Sequence, residues 1–133
     1  MAGETFLDNA KCNLEIANIM FATKGDDECF LCYVGFHLQQ AVELSIKHGM
    51  ECYGIEYPKI HDITMLILKC KEEGIDLGIT EYIDEHSEMF TMWEAKIRDV
   101  KNYRLEYDKV NRALKGVSEL IESVDAHTRD FGE

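Results

Sequence analysis

Phe36-His37-Leu38-Gln39-Gln40-Ala41-Val42-Glu43-Leu44-Ser45-Ile46-Lys47 is the stretch on which the fold turns. With Leu31 and Val34 ahead of it, Leu38, Ala41, Val42 and the stem of Ser45 recur at spacings of three and four. That period is one face of a helix. It predicts a helix over about 27–48, with Gly49 as its stop. Upstream, Leu7, Ala10, Leu14, Ala17 and Phe21 repeat the pattern and predict a helix over 4–23. Gly25 ends it, and Asp26 or Asp27 caps the helix that follows.

Downstream, Gly49, Gly54 and Pro58 punctuate a loop over 49–61. Pro58 pushes Tyr57 into an extended conformation. Asp62 is placed to cap a third helix carrying Ile63, Leu66, Ile67 and Cys70 and ending at Gly74. Gly74 and Gly78 bracket a turn, and Thr80 caps a fourth segment over about 80–106. The stripe of that segment is Ile83, His86, Phe90, Trp93, Ile97, Val100, Arg104 and Tyr107. A last helix over about 108–125 carries Val110, Leu114, Val117, Ile121 and Val124, with a polar tail expected to fray after Asp125. No stretch alternates with period two. The expected fold is all-α, an antiparallel bundle of about five helices.

The chain has 133 residues, 46% hydrophobic and 30% charged, which predicts one globular domain over 1–133. No run of 18 apolar residues predicts a membrane span. The start Met1-Ala2-Gly3-Glu4-Thr5 has neither a basic region nor an apolar run, so no secretory signal is expected. Fourteen Lys and Arg against 26 Asp and Glu leave −12. Such a chain repels phosphate backbones at long range, which argues against non-specific nucleic-acid binding. Positive charge is concentrated in Lys96, Arg98, Lys101, Arg104, Lys109, Arg112 and Lys115, a window of net +4 in a chain otherwise at −16. It is either a solvated helix face or a local site for an anion or an acidic partner.

Five cysteines, Cys12, Cys29, Cys32, Cys52 and Cys70, form an odd set that fits a reducing cytoplasm. Cys29 and Cys32 have one candidate second pair for zinc, His48 and Cys52, and it crosses Gly49; buried thiols are the default. A di-iron site needs Glu-x-x-His motifs, and the chain has none. Phosphate-binding Gly-rich loops and the Gly-x-Ser-x-Gly elbow are absent too. No catalytic, metal or cofactor residue is assigned on these grounds. What remains is polar residues at core-facing positions: Arg104 and His86 on the fourth stripe, and Gln39-Gln40 on the second. Each is either satisfied within the core or lines a cavity.

The run 36–47 resembles the second helix of HEPN domains, in which a Gln-Ala-x-Glu-x-x-x-Lys pattern follows aromatic and small residues. Here it reads Gln40-Ala41-Val42-Glu43, with Lys47 in the matching place. Pro58-Lys59-Ile60-His61-Asp62-Ile63 is similar to the family's Pro-x-x-His-Asp-Leu stretch, and Leu66-Ile67 stands where a Leu-Leu pair follows. The resemblance implies an all-α HEPN-like domain over 1–133 with a four-helix up-and-down core, often dimeric. Some members are metal-independent RNases, often toxins. Others are partners of small nucleotidyltransferases or are proposed to bind nucleotides.

The RNase branch carries Arg-x(4–6)-His near the last helices. After Arg98 the allowed His positions hold Tyr103, Arg104 and Leu105; after Arg104 they hold Lys109, Val110 and Asn111. Tyr stands where His belongs, and a phenol with pKa near 10 is a poor base at pH 7. The non-nuclease branch often has Arg-Tyr-Pro in this region; Tyr103-Arg104-Leu105-Glu106-Tyr107 keeps the Arg and the Tyr without the Pro. The expectation is a non-nuclease binding or interaction module that takes a nucleotide or docks a nucleotidyltransferase-like protein, as a homodimer. Candidate ligand-binding residues are Gln40, Lys47, His61, Arg98, Lys101, Tyr103 and Arg104, with Arg98, Lys101 and Arg104 meeting phosphates and Gln40 or His61 a base or sugar. The alternative is an RNase toxin or a decayed relative, resting on Arg98 with Tyr103, or on His61 or His86.

Overall fold

A computed structural model describes residues 5–99 and 104–129, apart from the side chains of Arg98 and Asp99. Six helices lie among the described residues: α1 (Phe6–Lys24), α2 (Glu28–Cys52), α3 (Ile63–Glu72), α4 (Glu81–Glu85), α5 (Ser87–Asp99) and α6 (Tyr107–Thr128). No strand is present among them.

Local chemistry sets most of the starts. Thr5 accepts from the Asp8 amide at 3.1 Å, and the Asp8 carboxylate accepts from the Thr5 amide at 3.0 Å. That reciprocal box opens α1, and the Thr5 amide holds the Asp8 carboxyl below its usual value. Asp27, Asp62 and Thr80 cap α2, α3 and α4 through their side-chain oxygens.

Helix α2 is the central element and packs on α1, α3, α5 and α6. The three-residue link Gly25–Asp27 makes α1 and α2 antiparallel neighbours. Leu38, Ile46, Met50, Ile63, Leu66, Leu77, Ile83, Phe90 and Leu120 are fully buried at the centre. Because α2 is covered from several sides, burial extends beyond one stripe to Gln39, Glu43, Ser45 and Lys47.

Three expectations are corrected. Helix α2 does not stop at Gly49 but runs to Cys52. Gly49 serves close packing instead: a Cβ there would meet Leu77 Cδ1 at 2.7 Å. The segment 80–106 is not one helix. It is interrupted at His86, whose backbone (φ −106°, ψ 13°) leaves the helical region while its Nδ1–H donates to the Tyr82 carbonyl at 2.8 Å. Helix α5 keeps the stripe through Phe90, Trp93 and Ile97 and is described to Asp99, whereas Arg104 lies outside any helix, ahead of α6, and is exposed to water. Lastly, α6 does not fray at Asp125. Thr128 is buried and donates to the Val124 carbonyl at 2.8 Å, and His127 Nδ1–H donates to the Ser123 carbonyl at 2.7 Å.

Candidate functional site

Glu43 is the hub of a buried polar network on α2. The residue is 3% exposed. It accepts from Gln39 Nε2 at 3.0 Å, Lys47 Nζ at 2.9 Å and His61 Nδ1–H at 3.0 and 3.2 Å. Gln39 and Lys47 reach it because i,i+4 positions share a helix face. His61 arrives from the loop that Pro58 shapes. Gln40 Nε2 donates to Gln39 Oε1 at 2.7 Å. Lys47 Nζ lies 5.7 Å from the Tyr57 ring centroid, and Phe6 meets that ring edge-on at 5.5 Å.

A carboxylate offers about four acceptor sites. Those of Glu43 are taken, and its charge is balanced by Lys47. The cluster thus ties the Tyr57–Asp62 loop to α2. His61, with its side chain 55% exposed, is the one member that opens well to water. Its Nδ1–H is committed to Glu43, which leaves Nε2 as the acceptor of the neutral ring.

A second place lies around residues 104–109. Leu105 is buried and seated on Gly35 of α2, where a Cβ would collide with it. Burial pushes the Cys32 thiol up, and the Leu105 backbone beside it draws it partly back. Seating Leu105 turns Arg104 and Glu106 outward, and Arg104 pairs with Glu28 at the start of α2. Between this stretch, α4 and α5 opens a cleft of about 440 Å³, walled by Met89, Met92, Trp93 and Leu105 and edged by His86, Arg104 and Lys109 with Glu85, Glu88 and Glu106. Lys109 Nζ stands 3.7 Å from Glu106. His86 stacks on Tyr82 with centroids 4.2 Å apart. Its Nδ1 serves the Tyr82 carbonyl, so Nε2 is the acceptor in the neutral form.

The candidate residues therefore divide. Gln40, Lys47 and His61 come together through Glu43. Arg104 is elsewhere: its partner Glu28 is fifteen residues from Glu43, about 22 Å along the helix axis. Arg98 belongs to α5 by its backbone, and its side chain lies outside the described residues, as do Lys101 and Tyr103. Sequence reasoning passed over Glu43 as a hub, although the spacing of Gln39, Glu43 and Lys47 announced it. Nothing local joins His86 to Arg104 across eighteen positions.

The chain matches the HEPN domain over residues 4–127. It belongs to the HEPN domain family. No curated protein sequence and no solved structure matches it. The two HEPN-like motifs, Gln40-Ala41-Val42-Glu43 with Lys47 and Pro58 to Asp62, are the two sides of the Glu43 network. After Arg112, as after Arg98 and Arg104, the positions where a nuclease His would stand hold other residues: Val117, Ser118 and Glu119.

Proposed function

We propose that this HEPN domain is a binding and interaction module, working as a homodimer, that takes a nucleotide in the cleft beside Arg104. The observation that carries this is the contrast in how the polar groups are used. Lys47 and His61 bond Glu43 and Gln40 joins them through Gln39, whereas Arg104, Lys109 and His86 edge an open cleft with apolar walls. Thioether surface suits a base, a guanidinium and an ammonium suit phosphate, and carboxylates suit ribose hydroxyls. A nucleotidyltransferase-like protein partner would meet the same basic window. The absent Arg-x(4–6)-His pattern speaks against RNA cleavage.

The RNase alternative draws support from one feature: His86 and Arg104 border one cleft, an imidazole and a cation of the kind that acid–base cleavage uses. The discriminating experiment is a thermal-shift scan against ATP, other nucleotides and short RNA, without and with Mg²⁺. A ligand at a hundred times its Kd adds about 2.7 kcal/mol, a clear rise in Tm. The expected result is a nucleotide-specific rise that Arg104→Ala abolishes. No rise with any nucleotide overturns the proposal in favour of a protein-only partner. Metal-free RNA cleavage lost in His86→Ala overturns it in favour of an RNase.

A further inference from the structure

Helices α1 and α2 present an outer surface without formal charge. Antiparallel and joined by the Asn13–His37 hydrogen bond at 2.8 Å, they expose Ile16 and Ile19 on one helix and Phe30 and Tyr33 on the other. Met20 and Phe36 are half-buried. Ile19 is 58% and Tyr33 54% exposed, large for apolar side chains this far from any loop tip. Positions 9, 12, 13, 16, 19, 20 and 23 of α1 and 30, 33, 36, 37, 40 and 44 of α2 hold no Asp, Glu, Lys or Arg. Burial holds the His37 imidazole below its usual value, so it too is neutral at pH 7. Charge returns at the margins, in Lys24, whose ammonium lies 5.9 Å from the Phe30 ring centroid, and in Asp8, Glu15 and Glu51.

In a chain of 30% charged residues and net −12, such a face selects its occupant. Two copies repel one another through charged surfaces, and here they can approach with their charges held apart. A basic partner would find acids only at the rim, in Asp8, Glu15 and Glu51, and none at the centre. An anionic bilayer would find none of the Lys and Arg that surface-lying helices use. About sixteen residues of two packed helices span a plane of about 24 by 20 Å, roughly 500 Å² before side-chain relief, which approaches the roughly 800 Å² per partner of a standard interface. The outline, apolar at the centre and charged at the rim, is that of an interface.

We infer that the α1–α2 face is the surface through which a second copy of this chain docks, isologously, with Ile19 and Tyr33 among its anchors. The inference rests on the homodimer in the reading above and adds its surface. In an isologous contact each copy offers the same patch, so one substitution acts twice.

The test is light scattering coupled to gel filtration, over a concentration series, on the unaltered chain, Tyr33→Glu, Ile19→Lys and Met65→Lys. Met65 is equally exposed but lies on α3. The expected result is a dimer of 15.3 kDa chains for the unaltered protein and for Met65→Lys. Tyr33→Glu and Ile19→Lys should weaken it by roughly tenfold or more, the scale of a central interface anchor. Helical circular dichroism should be unchanged, since neither side chain is in the core. A monomer at every concentration overturns the inference together with the homodimer. A dimer that survives Tyr33→Glu and Ile19→Lys overturns the surface alone and leaves the homodimer standing.

Discussion

The Glu43 network and the Arg104 cleft draw on the same kinds of side chain and put them to opposite uses. Around Glu43 a carboxylate, an ammonium, an imidazole and two amides satisfy one another inside the protein. Around Arg104 a guanidinium, an ammonium, an imidazole and carboxylates face a hollow, and the Arg104 pair with Glu28 is open to water at 65% and 56% side-chain exposure. The difference teaches that polarity at a motif does not by itself mark a ligand site. A buried, mutually satisfied set holds the fold; a solvated set, whose pairs are open to water, is available to something else. Substitutions in the two places should therefore fail in opposite ways.

The largest effect is expected at the hub. Glu43→Ala leaves the Lys47 ammonium buried without its partner, a change of the class that costs about 3–5 kcal/mol. Urea denaturation should show that loss, and a loss below about 1 kcal/mol would mean water already reaches the network. Next comes the floor of the cleft. Gly35→Ala puts a methyl against Leu105 and Trp93, which must shift, for about 1–3 kcal/mol of destabilisation. It should also displace Arg104, so ligand binding and stability fall together in that variant alone.

Much of this was legible in the chain because it is local. Asp27, Asp62 and Thr80 announced their helices by bonding amides two or three residues on. The all-α bundle followed from periodicity, and the joint appearance of two short motifs pointed to the family. What could not be read depends on distant partners. Gly49 lies inside a helix that runs past it, and Leu77, twenty-eight positions on, occupies the space of its missing Cβ. The stripe keeps its spacing straight through His86, yet the helix breaks there and Leu105 packs against Gly35. Ser123, a turn before the end of α6, donates to the carbonyl of Gly78, forty-five positions back, at 2.5 Å. Glu43 sat in plain view at i,i+4 spacing, but His61 joins it through the tertiary fold.

A smaller effect is expected from pH. Burial depresses His37 and His48 below the usual imidazole value, with nearby acids drawing His48 partly back. The unfolded chain therefore takes up these protons first. Stability should fall as pH drops below about 6.5 and level off beneath the depressed native values. Denaturation midpoints across that range check it, and His37→Gln should flatten the slope. The smallest effect is at the surface pair: Arg104→Ala should change unfolding free energy by less than about 1 kcal/mol.

The most direct measurement pairs unfolding with nucleotide titration on two variants, His61→Ala and Arg104→Ala. The account predicts that His61→Ala lowers stability by about 1 kcal/mol, the scale of one hydrogen bond, and leaves ligand affinity intact. Arg104→Ala should do the reverse, abolishing binding at unchanged stability. If His61→Ala removed binding while Arg104→Ala left it untouched, the motif would be the ligand site and the division drawn between the two regions would be wrong.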